Sequence, residues 1–270
     1  MDYSNDALTI HTAEARTVAA NGGTLPNRWL EIDQNYENYT YRQSNFLHDL
    51  SQAVINGEPE DRLNELHART LADAVGSTVS HSGTAEALIN EQVRRKVAAA
   101  LIVEYAKVAG ENLKAVAAQF NLKSQQLRAL AEQVDVEATA ESLISAPDEA
   151  RMAWLKAAEV AAELDKTLVG LAAAANLAGA RISGKDALIG LVCPTDGVGK
   201  ARRAVWAAWD TDGRTGRYGA LLAAGIEVKA IDSVQKYRTY GRPQMVNKVE
   251  HDGWGIRQTW VDAEDGSPVE

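Results

Sequence analysis

Apolar positions recur every three or four residues over most of the chain, which is the period of an amphipathic helix. Phe46, Leu47, Leu50 and Val54 form one such stripe, predicting a helix over 41–55 that stops at Asn56-Gly57. Pro59 opens the next, carried by Leu63, Leu66 and Leu71 to about Val75, with a polar loop over 76–83. Val93, Val97, Leu101, Tyr105 and Val108 mark a long helix from an N-cap at Thr84 to Gly110. Two shorter pieces follow, Leu113–Phe120 and Ser124–Gln133. Pro147-Asp148-Glu149 starts another long helix, acidic in its first turn as the helix dipole prefers, continuing through Leu168 and Leu171. Short helices are expected over 184–192 and 201–209.

The pattern changes near Gly225. Ile226-Glu-Val-Lys-Ala-Ile alternates as a half-buried strand does. Two β-prone runs, from Met245 and from Trp254, flank Asp252-Gly253, a hairpin signal. Residues 1–40, punctuated by Asn21-Gly22-Gly23 and Leu25-Pro26, read as irregular. The expected fold is therefore mainly α, a multi-helix body with a small C-terminal antiparallel β hairpin. Its divisions are an irregular 1–40, a helical body 41–222, a β appendix 223–262 and an acidic tail 263–270.

One stretch within this pattern carries a chemical signal. In Leu113–Ala131, Ala117 is the small residue at a close helix crossing. Asn121, four residues on, tolerates a left-handed turn, and Phe120 and Leu122 flank it. Val116, Leu127 and Leu130 face inward, and Ser124 suits an N-cap. The spacing resembles the helix-turn-helix family of DNA-binding motifs over about residues 113–132, within a unit at 84–134. It departs from the family at Asn121, where glycine is usual, and at Leu127, where a β-branched residue is common. The resemblance implies a reading helix presenting Lys123, Ser124, Gln125, Gln126 and Arg128, with Lys114 and Lys123 on phosphates. It also implies a symmetric dimer, DNA as partner, and a bacterial or phage regulator.

The net charge of −9 opposes a protein that coats DNA with its whole surface. The charge is partitioned: residues 1–60 hold 3 basic and 9 acidic side chains, and residues 200–248 hold 10 basic and 4 acidic. Lys200, Arg202, Arg203, Arg214 and Arg217 alternate with Trp206, Trp209 and Tyr218, a composition suited to a second basic surface. That surface can meet nucleic acid or an acidic protein. Equally, the tryptophans can be buried and the arginines spread over a solvated helix face.

Other chemistry is thin. Cys193–Ala201 has the glycines of a phosphate-binding loop, but Pro194 replaces its first glycine and Ala201 its magnesium-binding hydroxyl residue. We read it as a glycine-rich loop ahead of a helix. Asp210-Thr-Asp-Gly-Arg lacks the later acidic ligands of a calcium loop and reads as a turn. The five histidines show no metal-ligand spacing, and no nucleophile elbow is present, so neither an enzyme, a cofactor nor a metal is expected. The single cysteine, Cys193, is expected to be buried and inert. No secretory signal or membrane span is evident, which points to the cytoplasm. A non-enzymatic DNA-binding protein is the first expectation. The competing one is a helical oligomeric assembly or adaptor protein, such as a phage structural or packaging component, located in a virion.

Overall fold

A computed structural model describes residues 4–40, 46–78, 85–193, 202–251 and 256–263. The fold is mainly α, 69% helical, with one small antiparallel two-stranded sheet near the C-terminus. The helices are α1 (Ser4–Ala20), α2 (Asn27–Thr40), α3 (Phe46–Ile55), α4 (Glu60–Thr78), α5 (Ala85–Ala106), α6 (Ala109–Ala131), α7 (Asp148–Leu177), α8 (Ile189–Val192), α9 (Arg202–Asp210) and α10 (Arg217–Ala223). The strands are β1 (Met245–His251) and β2 (Ile256–Asp262). The expected N-cap Thr84, the glycine-rich segment 194–201, the hairpin turn Asp252-Gly253 and most of the acidic tail lie outside the described residues.

The chain divides into two compact units. The first comprises residues 1–13 and 25–107, the second residues 14–24 and 108–270.

The first unit corrects the expectation of an irregular N-terminus. α1 and α2 are regular helices, but their inward stripes mix aliphatic residues with small, polar and aromatic ones. Leu8 and His11 face inward on α1, and Trp29 is the buried residue of α2. The Trp29 indole N–H donates to His11 Nε2 at 3.4 Å, and the Tyr105 ring of α5 meets the imidazole edge-on at 5.7 Å. Burial holds the His11 pKa below its usual 6.5, and a hydrogen bond to the backbone of Leu101 partly opposes this.

The folded unit therefore keeps His11 neutral where the unfolded chain takes up a proton. The stabilisation is complete above about pH 6.5 and is lost as pH falls toward the depressed folded value. Urea melts of the full chain should show the transition of this unit weakening between pH 7.5 and pH 5.5. His11→Gln should flatten that dependence. A slope unchanged by the substitution would assign it to other groups.

The second unit holds the main core. α6 and α7 pack along each other through Leu113, Val116, Ala117, Phe120 and Leu127 on α6 and Ala157, Leu164, Leu168 and Leu171 on α7. Ile189, Leu191, Trp206, Trp209, Tyr218 and Leu221 from α8, α9 and α10 complete it. Alanine at 157, 161, 174 and 175 of α7 is buried, which lets helix backbones approach closely.

The alternating run 226–231 is extended, with Ile226, Val228, Ala230 and Ile231 buried, but it joins no sheet. Its backbone bonds go elsewhere: Lys229 N donates to Val192 O at 2.7 Å and Ile231 N to Leu191 O at 2.9 Å. The hairpin pairs Met245 with Asp262 through His251 with Ile256.

Candidate functional site

The segment expected to form a helix-turn-helix is a single helix. α6 runs unbroken from Ala109 to Ala131, so the turn expected at Phe120-Asn121-Leu122 is not formed. The break lies earlier, at Lys107-Val108, and Gly110 is inside α6 rather than at a helix end.

Asn121 and Ser124 have a structural task instead. Asn121 Oδ1 accepts from Ala230 N at 2.7 Å, and Ser124 Oγ donates to Val228 O at 2.6 Å. One face of α6 thus holds the extended run 226–231 by its backbone, where a sheet would normally supply a partner strand. Ser124 is buried, so it neither caps a helix nor faces a groove of DNA. Asn121→Ala/Ser124→Ala leaves a buried N–H and a buried carbonyl without these partners, at a cost of about 2–4 kcal/mol. Chemical denaturation should show that loss. Unchanged stability would mean the run is held by its bonds to Leu191 and Val192 alone.

The other expected DNA contacts divide. Gln125, Gln126 and Arg128 are exposed on α6, while Lys123 is half-buried. Lys123 Nζ donates to Thr167 Oγ1 at 3.1 Å and pairs with Glu163 at 3.4 Å, both on α7. Lys114 is exposed and bonded to Glu111 at 2.8 Å, which raises its pKa.

The expected second basic surface is largely folded inward. Trp206 and Trp209 are buried. Arg214 lies over Trp154 at 3.4 Å from the ring centroid, Arg217 over Trp209 at 4.4 Å and Arg202 over Tyr240 at 5.7 Å. Arg203 is half-buried, and Lys200 lies outside the described residues. The arginines face aromatic rings rather than forming one continuous basic patch.

Two devices hold this region, and neither shows in the local residue pattern. Glu137 sits in the connection between α6 and α7. Its carboxylate accepts from Arg214 N at 2.7 Å, Thr215 N at 2.9 Å and the Thr215 hydroxyl, clasping the turn 213–216. Gly213 and Gly219 leave room for it; a Cβ at either would collide with the carboxylate. Arg242 bonds Asp186 at 2.7 and 2.9 Å and Asp210 at 2.7 and 3.0 Å while lying over Trp206 at 4.2 Å. Those bonds hold both carboxyls below their usual range. Spacing in sequence cannot reveal such pairs, because Arg242 is 56 residues from Asp186 and 32 from Asp210.

Beside this bridge lies a polar cleft of about 280 Å³ lined by Asp165, Lys185, Asp212 and Arg217, among others. Cys193 is buried nearby in the core, and burial pushes its thiol pKa up to about 12, so it carries no thiolate at neutral pH. Among the described residues, no group of three or more His, Cys, Asp or Glu is placed to hold a metal ion. No helix of the described residues is long and apolar enough to cross a membrane.

The remaining candidate surface is apolar. In the first unit, α3 and α4 form a helical hairpin in which, among the described residues, Ala53 and Leu66 are buried. Leu47, Val54, Ile55 and Leu71 are 68%, 60%, 73% and 53% exposed. Leu47 and Val54 are seven residues apart and share a face of α3. In the second unit, the hairpin β1–β2 buries Val261 but leaves Met245, Val246, Val249 and Trp260 exposed.

No protein-family model matches the chain, and neither a curated protein nor a solved structure matches it.

Proposed function

We propose that this chain is a non-enzymatic helical assembly or adaptor protein whose α3–α4 hairpin is a contact surface with a second copy of itself. The observation that carries this is the exposure of four large apolar residues, Leu47, Val54, Ile55 and Leu71, on the α3–α4 hairpin. An isolated two-helix hairpin gains little from its own packing. A second copy presents the same residues, and an isologous contact covers both sets at once. The exposed apolar residues of β1–β2 support the same reading, since a lone two-stranded sheet is marginal in water.

Sedimentation velocity over a range of concentrations tests it. The wild-type chain should sediment above its 29.1 kDa monomer mass, and Leu47→Glu/Val54→Glu should return it to the monomer. A monomeric wild type at all concentrations would reject the proposal.

A second reading, contact with DNA, is favoured by the joint exposure of Gln125, Gln126 and Arg128 on α6. Gln and Arg can each make bidentate contacts to base edges. Gel-shift titration against a random-sequence duplex at low and high salt decides it. Binding that weakens with salt and with Gln126→Ala/Arg128→Ala supports the reading, and affinity untouched by the double substitution sinks it.

A further inference from the structure

The cleft beside the Arg242 bridge has an unequal distribution of partners. Three of its four carboxylates are committed. Asp186 and Asp210 share the Arg242 guanidinium, and Asp165 accepts from the Tyr218 hydroxyl at 3.0 Å. Arg242 is equally committed, donating to four carboxylate oxygens. The other two cations are not. Neither Lys185 nor Arg217 has a carboxylate within ion-pair distance among the described residues.

Arg217 is also pre-set. Its guanidinium lies on the Trp209 ring at 4.4 Å, and Arg217 lines the cleft. Trp209 itself is buried, so the stacked pair is fixed by the core beneath it. A planar fork held in this way loses little freedom when it engages a tetrahedral or planar anion.

We propose that this cleft binds a small phosphate monoester bearing hydroxyl groups, with Lys185 and Arg217 on the phosphate and Asp212 accepting from a hydroxyl. The uncommitted groups are two donors of positive charge and one carboxylate, Asp212. A bare dianion would be repelled by Asp212, whereas a sugar phosphate supplies an anion and hydroxyl donors together. The volume of about 280 Å³ is at the small end for ligand sites, which suits a small ligand. The site lies wholly in the second unit and does not depend on the assembly reading.

Isothermal titration calorimetry on the full chain tests this with ribose 5-phosphate, inorganic phosphate and ribose as probes. Ribose 5-phosphate should bind saturably and at least tenfold more tightly than inorganic phosphate, and ribose should give no saturable heat. Lys185→Gln and Arg217→Gln should each weaken ribose 5-phosphate at least tenfold. Among the described residues the Lys185 side chain bonds nothing, so its variant should melt at the wild-type temperature while losing the ligand. No saturable heat with ribose 5-phosphate would overturn the proposal, as would full affinity in Lys185→Gln. Inorganic phosphate binding as tightly as the ester would remove the hydroxyl role of Asp212 and overturn the proposed ligand class.

Discussion

Phe120→Ala should cost the second unit about 3–5 kcal/mol, the range for emptying a buried aromatic position. Phe120 is fully buried in the middle of α6 and packs at 6.4 Å from the Tyr218 ring of α10. The cavity would open between elements that cannot easily close on it. α7 lines one side with Leu164 and Leu168, and Tyr218 is fixed by its bond to Asp165. Equilibrium urea denaturation should show a lower midpoint with an unchanged slope. A loss below about 1 kcal/mol would mean that Phe120 does not fill a closely packed core position.

Glu137→Ala should be nearly as damaging, at about 2–4 kcal/mol. The carboxylate satisfies two backbone N–H groups and a hydroxyl in a turn whose Thr215 is fully buried. Alanine leaves those donors without a partner, and water has little access to Thr215. The turn also places Arg214 over Trp154, so the stack should loosen with it. Glu137→Gln keeps one acceptor oxygen and should recover part of the loss. Gly219→Ala should reproduce the defect from the opposite side, since its Cβ would occupy the place of the carboxylate. Thermal unfolding followed by near-ultraviolet dichroism of the tryptophans checks all three. Wild-type stability in both Glu137→Ala and Gly219→Ala would show that the clasp is not a stabilising contact.

The helices were legible where large apolar residues carried the period. α7 follows its Asp148-Glu149 start and its Leu164, Leu168 and Leu171 row, and the β hairpin follows its two β-prone runs. α1 and α2 were not legible. His11 and Ala15 stand in the buried stripe of α1, and α2 presents one buried tryptophan on an otherwise polar sequence.

The helix-turn-helix spacing arose from a different cause. Asn121 and Ser124, three residues apart on one helix face, are where a turn and an N-cap would place them. They are also where a helix must place them to hold an extended chain by its backbone. The alternation of 226–231 matches its alternating burial, yet the run forms no strand: its partners are α6 side chains and α8 carbonyls, which no local pattern encodes. The basic block was legible as composition. Its stacking on Trp154, Trp209 and Tyr240 was not, because those contacts include Arg214 and Trp154, 60 residues apart.

The central claim concerns the α3–α4 hairpin, and hydrogen exchange of its backbone amides tests it most directly. If a second copy covers Leu47, Val54 and Leu71, amides of α3 and α4 should exchange slowly in concentrated wild-type protein. They should exchange markedly faster on dilution, or in Leu47→Glu/Val54→Glu, while amides of α6 and α7 keep their rates. Exchange in α3 and α4 that is the same at every concentration, and the same in the variant, would contradict the account.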